Sequence, residues 1–250
     1  MQAREAFHQN WTGLFDLLPS YTQGARCWRE PGAMIGISGW AIAAFNAVIF
    51  DDPSLRPRDQ LERLVNMFNL LGLPYSFSLC CDIHIPEFEA QLRTFGFSRW
   101  FADPLMYRAG QLAASADPKI VIQPVRTLDT FETYCNIVER VFDLPPIVGD
   151  QYLKTMWQMP QAHQVIAYYE EKPVGVGMLL CCNGTAGIYE LGTLAQARRR
   201  GIGTTLCIAL HELALELGYP GTVLAASAMG LSVYEKLGYR HDGYQIAYSR

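Results

Sequence analysis

The sequence contains no Cys-x-x-Cys pair, no excess of basic residues and no uncharged apolar run long enough to cross a bilayer. Each absence removes a class of function. Without Cys-x-x-Cys there is no basis for a zinc ribbon or a dithiol redox site. The seven cysteines are an odd number, and two adjacent pairs, Cys80–Cys81 and Cys181–Cys182, lie in strand-like stretches. Neighbours on a strand face opposite ways, so these read as small core hydrophobes of a protein kept in a reducing cytoplasm. With 20 Lys and Arg against 24 Asp and Glu, the net charge of −4 argues against gripping a polyanion, and no nucleic-acid partner is expected. The longest apolar candidate, "MIGISGWAIAAFNAVIF" (34–50), is broken by Gly36, Ser38, Gly39 and Asn46 and reads as buried strand material. The first residues lack the apolar core of a secretory signal, and no membrane contact is expected. His211-Glu212 opens a His-Glu-x-x-His pattern, but Leu215 stands where the second histidine belongs. His84 is isolated. No metal site is expected.

What is present is apolar material for more than one core. Of 250 residues, 50% are hydrophobic, which suits two domains better than one. "GQLAASADPK" (110–119) is small and polar in the manner of a linker, placing the boundary at 115/116. Beyond it "KIVIQPV" reads as a strand and "TLDTFETYCNIVERVFD" as a helix capped by Thr or Asp. Three strands follow, joined by an "EKP" turn and by Asn183-Gly184, a strong hairpin signal. In "GIGTTLCIALHELALELG", Ile202, Leu206, Ala209, Leu210, Leu213 and Leu217 form one apolar stripe, with His211, Glu212 and Glu216 on the other side. A strand ("TVLAAS"), a short helix ("LSVYEKLG") and a last strand ("YQIAYS") complete the chain. Two segments repeat: "LLGLPYSFSL" (70–79) matches "ELGYPGTVLA" (216–225), and "LRTFGFSRW" (92–100) matches "YEKLGYRHD" (234–242), pairing Gly72 with Gly218 and Gly96 with Gly238.

The most informative stretch is "ARRRGIGTTL" (197–206), a loop between a strand and a helix. A helix start carries unpartnered N–H groups and partial positive charge, glycines there let an anion reach the backbone, and arginines add donors. A pyrophosphate suits such a site; a solvated cluster before an ordinary helix fits the same residues. A dinucleotide fingerprint fails, since Leu206 takes the place of its third glycine, and no Gly-Lys-Ser/Thr follows for a Walker loop.

The spacing of Arg198, Gly201 and Gly203, followed by Ala226, Ser227, Gly230, Tyr234 and Gly238, resembles the GNAT family of acyl-CoA-dependent N-acyltransferases over roughly residues 119–250. Tyr239 replaces the family's usual Phe. The resemblance implies an α+β, three-layer α/β/α fold with a mixed, mainly antiparallel sheet flanked by helices, here duplicated. It implies acetyl transfer from acetyl-CoA to the primary amine of a small molecule or peptide, by a monomer or homodimer. The strand before the loop is expected to splay, so that Leu191, Thr193 and Leu194 meet the pantetheine arm. Gly192 would give room to bend, and Arg198, Arg199, Gly201, Ile202, Gly203 and Thr204 would hold the pyrophosphate. Tyr234 is the family's general acid position; a packing tyrosine is the alternative. Glu190 is either a base for the amine or a half-exposed strand residue.

Stepping back from Gly72 by the Gly201–Gly218 interval leads to Leu55, in a stretch with two prolines, Asp51 and Asp52 and no glycine; the counterpart of Tyr234 is Leu92. Residues 1–115 are therefore expected to be a degenerate copy, a scaffold or one wall of the acceptor cleft. Residues 116–250 would form the acetyl-CoA-binding domain. A non-catalytic acyl-CoA sensor is the alternative function. The segment "NIVERVFDLPPIVGDQYLKTMWQMP" is where the acceptor would be shaped, with Phe142, Tyr152 and Trp157 as candidate apolar lining.

Overall fold

Alternating apolar residues and tight turns build the strands of each unit. The computed structural model describes residues 2–144 and 149–250, and the chain divides into two units, Met1–Leu105 with Asp242–Arg250, and Met106–His241. The break precedes the polar stretch at 110–119, and the end of the chain belongs to the first unit.

In the first unit α1 (Ala3–Tyr21) is followed by β1 (Arg26–Glu30), β2 (Ala33–Ile37), β3 (Asn46–Phe50), α2 (Arg58–Leu71), β4 (Ser76–Cys81), α3 (Pro86–Arg93) and the start of β5 (Ser98–Ala109). The last strand, β11 (Arg240–Ser249), pairs antiparallel with β4, giving the order β1-β2-β3-β4-β11. The broken apolar run becomes β2 and β3, both buried throughout. Asn46 ties the intervening loop: its Oδ1 accepts from the N–H of Ser38 and Gly39, both at 3.1 Å, and its Nδ2 donates to the carbonyl of Trp40 at 2.7 Å. Ile35, Val48, Phe77 and Tyr248 stand opposite one another across successive strands and are at most 1% exposed. Against this row pack Leu61, Leu64 and Phe68 of α2 and Phe88 and Leu92 of α3. Each such side chain contributes roughly 1.5–3 kcal/mol on burial.

The second unit runs β6 (Ile120–Pro124), α4 (Leu128–Phe142), a π-turn (Gly149–Leu153), α5 (Lys154–Gln158), β7 (Ala162–Tyr169), β8 (Lys172–Cys182), β9 (Thr185–Thr193), α6 (Ile202–Glu216), β10 (Gly221–Ala225) and α7 (Leu231–Lys236). The sheet order is β10-β9-β8-β7-β6, antiparallel except for the β9–β10 pair. Thr127 caps α4 through a reciprocal capping box with Thr130. The Asn183-Gly184 hairpin forms with both residues at positive φ. The preceding turn falls at Glu170-Glu171 rather than on "EKP", because those two glutamates take the left-handed conformation that a two-residue hairpin demands. Helices cover both faces of the sheet: α6 packs on β8 and β9 from one side and α4 from the other. The fold is thus α+β, mainly antiparallel, with flanking helices. The order β3-α2-β4-α3-β5 recurs as β9-α6-β10-α7-β11. Gly72, Gly96, Gly218 and Gly238, the four glycines aligned by sequence, all have positive φ just after a helix.

One expectation is corrected. His211, assigned to the polar side of α6, is fully buried at 0% exposure, and Leu217 is 46% exposed. A single stripe underestimates α6, which is covered on more than one side: Ile202, Thr205, Leu206, Cys207, Ile208, Leu210, His211 and Ala214 are all buried. A carbonyl only accepts, so His211 Nε2 donates to Gly110 O at 2.8 Å and Nδ1 accepts from Thr222 Oγ1 at 2.7 Å. Thr222 in turn accepts from the Tyr239 hydroxyl at 2.5 Å. Burial holds the His211 pKa below its usual value, so the folded chain resists a proton that the unfolded chain accepts. Stability is complete above about pH 6.5, the ordinary histidine value, and declines as pH falls from there through the folded-state pKa. His8 and His163 shift in the same direction. The difference between wild type and His211→Gln isolates the share of His211: thermal melts between pH 8 and pH 5 should show a steeper acid loss in wild type by a few degrees, and parallel curves would refute this assignment.

Candidate active site

The candidate site is built on the second half of β9. Tyr189 of β9 pairs with Met178 of β8 and Gly192 with Val176, so that Glu190 and Leu191 together face the single residue Gly177. This is a β-bulge, and Glu190 occupies it at φ 53°, a left-handed backbone uncommon for a side chain of this kind. On the other edge, the register between β9 and β10 is Val223 opposite Gly187. From Ile188 onward β9 has no strand partner on that side among the described residues. Leu194 N–H donates to Val174 O of the β8 side at 2.9 Å. Alternation along a strand then directs the N–H and C=O of Leu191 and Thr193 to the open edge. The strand thus parts from β10 beyond Gly187, and the bulge at Glu190 lies within the parted stretch. Gly192 serves another purpose: a Cβ there would stand 2.5 Å from Val141 Cγ1 and 3.2 Å from the Phe142 ring, so the glycine admits the end of α4.

The arginine-rich loop leads from this strand into α6. Arg198, Arg199 and Arg200 are exposed; Arg198 Nε donates to Thr193 O at 3.3 Å, and Arg200 lies over the Tyr169 ring at 5.3 Å. Gly201 is the N-cap at φ 79°, with no side-chain cap. The first helical bond runs from Thr205 N to Gly201 O at 2.9 Å, which leaves the N–H groups of Ile202, Gly203 and Thr204 without helical acceptors. Gly203 has ordinary φ, and a Cβ there would meet only Leu191 Cδ2 at 3.7 Å and Thr193 Oγ1 at 3.9 Å. Neither backbone conformation nor packing therefore demands a glycine at this place. Leu191, Thr193 and Gly203 are thus brought together at the open edge; Ile202 and Leu194 are buried, at 2% and 6%.

Glu190 points to the α4 side of the sheet. Its Oε2 accepts a short hydrogen bond from the Tyr134 hydroxyl of α4, and the Tyr152 hydroxyl lies near enough to help stabilise the carboxylate. Its Oε1 is buried without a hydrogen-bond partner among the described residues. Burial raises its pKa, against the opposing effect of the two hydroxyls. Tyr134 is absent from the reading of the sequence because it falls in the buried stripe of α4 with Phe131, Ile137 and Val138, where a tyrosine is indistinguishable from core. Of the three proposed lining residues, Tyr152 reaches Glu190, Trp157 stacks on Phe131 at 4.7 Å, and Phe142 is 42% exposed.

Tyr234 sits on the α6 side instead. It is 7% exposed, its ring lies against Gly230 and edge-on to Tyr239 at 5.9 Å, and burial raises its pKa. Tyr234 and Glu190 do not share a packing cluster: Tyr234 belongs with Cys207, Leu237 and Tyr239.

The corresponding parts of the first unit are closed. β3 and β4 pair in register from Ala47–Ser76 to Phe50–Leu79 without a splay. The loop before α2 is bonded to the protein itself: Arg56 N donates to Gln91 Oε1 at 3.0 Å, and the Arg56 guanidinium donates to Gly32 O and Asp52 O, each at 3.0 Å. Leu92 is fully buried.

This arrangement of a splayed strand, a bare helix start and flanking helices is that of the GNAT acetyltransferase fold. Residues 160–241 match the acetyltransferase (GNAT) domain family. The chain is 30% identical over 80 residues to an uncharacterized N-acetyltransferase, YjcF, of Bacillus subtilis (strain 168), covering 32% of this chain and 57% of that protein. It is 29% identical over 80 residues to the uncharacterized protein YyaT of the same strain, covering 54% of that protein. The chain thus spans about half the length of the curated relatives it matches. Among solved structures, a GCN5-related N-acetyltransferase from Kribbella flavida aligns over 97% of this chain and 94% of its own, with a TM-score of 0.74 at 15% identity. A conserved protein of unknown function from Staphylococcus epidermidis aligns over 92% and 96%, with a TM-score of 0.68 at 15% identity.

The role given to Gly192 can be checked directly. Gly192→Ala should destabilise the protein by about 1–3 kcal/mol through overpacking, and Val141→Ala in the same chain should restore part of that loss. A double-mutant cycle in urea measures the coupling, and strictly additive losses would contradict the contact.

Proposed function

We propose that the chain is an N-acetyltransferase that moves an acetyl group from acetyl-CoA to a primary amine of a small molecule or peptide. The observation that carries this reading is Gly203, a glycine that nothing within the protein requires, beside three helical N–H groups without acceptors and an open strand edge. A ligand that is anionic at one end and extended at the other accounts for all three. Its pyrophosphate would take the N–H groups of Ile202, Gly203 and Thr204, with Gly201 turning the chain and Arg198 and Arg199 supplying positive charge. Its amide-bearing arm would add to the edge formed by Leu191 and Thr193. Leu194 is a poorer candidate for direct contact, since its N–H is already used within the sheet.

The chemistry is direct transfer. The amine nitrogen bonds to the thioester carbon, the C–S bond breaks, and the ammonium proton leaves to a base while the thiolate gains one from an acid. Glu190 is the proposed base, its charged form made reactive by burial. Tyr234 is the proposed acid; burial keeps its phenol protonated until a thiolate is released. Holding thioester and amine together supplies proximity. The first unit, with its sealed loop and unsplayed strands, is proposed to be a degenerate copy of the second, as the recurring element order suggests.

Two outcomes are expected. Acetyl-CoA at 100 times its dissociation constant should stabilise the wild type by about 2.7 kcal/mol, seen as a rise of several degrees in melting temperature. Gly203→Glu should fold, because the site has room for a Cβ and an acidic residue suits a helix start, yet show no such rise. If acetyl-CoA and CoA both leave the wild type unmoved, the acyl-CoA reading fails. Separately, Tyr234→Phe should lower kcat at least tenfold with little change in acetyl-CoA affinity; an unchanged kcat would remove the phenol from the mechanism.

A further inference from the structure

Glu190 is a half-buried carboxylate for which no ion pair is found among the described residues. The groups that shift its titration are burial and the hydroxyls of Tyr134 and Tyr152, with no Lys, Arg or His among them. We propose that Tyr134 and Tyr152 are positioning residues that hold Glu190 as a proton acceptor, fixing the carboxylate while leaving Oε1 without a hydrogen-bond partner among the described residues. The catalytic consequence rests on the acyl-transfer reading; the geometry of the cluster does not.

Three observations converge. The bulge puts Glu190 in a left-handed conformation, which directs its side chain to α4 instead of leaving it in the regular alternation of β9. Tyr134 from α4 and Tyr152 from the turn at Gly149–Leu153 approach the carboxylate from two separate elements. Oε1 is buried and lacks a partner, a costly arrangement for a carboxylate unless something outside the protein completes it.

The choice of tyrosine has a chemical reason. An arginine or lysine beside Glu190 would depress its pKa and neutralise its charge, leaving a weak base. A neutral hydroxyl donates a hydrogen bond and still leaves the negative charge uncompensated. The hydroxyls keep their own protons, because burial and the neighbouring carboxylate both push the Tyr134 and Tyr152 pKa values up. The other titratable groups facing the cluster are Cys135 of α4 and Tyr189 of β9. In the reaction the ammonium N–H proton passes, directly or through water, to the Glu190 carboxylate, the nitrogen keeps the electron pair, and Glu190 becomes a neutral acid that later releases its proton to solvent.

The test is an infrared pH titration of the protonated-carboxyl stretch in the unliganded protein, with Glu190→Gln as the blank that isolates one carboxyl from the rest. Wild type minus blank should show a single group titrating above the ordinary glutamate value. Tyr134→Phe and Tyr152→Phe, which each remove one oxygen and keep the ring, should each move that midpoint up by about one pH unit. Should a Phe variant fail to fold, 3-fluorotyrosine at the same position keeps the shape and strengthens the donor, and should move the midpoint down. A folded Phe variant with an unmoved midpoint overturns the proposal, whatever its effect on melting temperature. Because no acyl donor is present, a shifted midpoint without acetyl-CoA stabilisation would count against the acyl-transfer reading alone. If an acceptor is found, the acid limb of kcat/KM should move with the infrared midpoint in each variant.

Discussion

The bulge in β9 is the constraint on which the site depends. One extra residue there, with Glu190 at positive φ, does two things that a regular strand cannot. It accompanies the parting of β9 from β10 beyond Gly187, so that backbone groups of Leu191 and Thr193 lack strand partners on that side among the described residues. It also turns a carboxylate toward α4, where a regular alternation would have kept it in line with its neighbours. A left-handed glutamate costs on the order of 1 kcal/mol or more, so the surrounding packing must hold it. Val141 and Phe142 closing over Gly192, and Tyr134 bonding Glu190, are contacts that do so from a single helix.

The second unit contains two buried polar clusters that differ in completeness. In the first, His211, Thr222 and Tyr239 pass hydrogen bonds along to the Gly110 carbonyl, so each polar atom is answered within the chain. Such a closed network fixes α6 against its neighbours and offers nothing to a ligand. In the second, around Glu190, one oxygen is left over. His211 is fully buried, whereas Glu190 is only half-buried as a residue, with its Oε1 inside the protein. What separates them is the presence of an unanswered acceptor.

The first unit contains the element order β3-α2-β4-α3-β5 with its parallel strands fully paired. Its parallel pair stays zipped from Ala47 to Phe50, and its counterpart of the arginine loop is turned inward, bonded by Gln91, Gly32 and Asp52. Hydrophobic residues fill the remainder, Leu92 standing where Tyr234 stands in the second unit. Packing continues without the ligand chemistry because a core needs only volume and apolar surface.

Much of the fold was readable from local rules. The hairpin at Asn183-Gly184, the cap at Thr127, the glycines ending four helices and the strand pair in the run at 34–50 each follow from short-range backbone preference or from polar interruptions in an apolar stretch. The turn into the helix at Gly201 was legible because a glycine takes the positive φ of that helix start without strain. By contrast, the burial of His211, the membership of β11 in the first unit, the bulge at Glu190 and the approach of Tyr134 and Tyr152 were decided only by the tertiary structure. Their partners lie on other elements: Gly110 and Thr222 for His211, β4 for Tyr248, α4 and the turn after it for Glu190. Local sequence sets which backbone shape a residue prefers; which buried polar group finds a donor, and which is left open for a substrate, depends on elements that meet only in the folded chain.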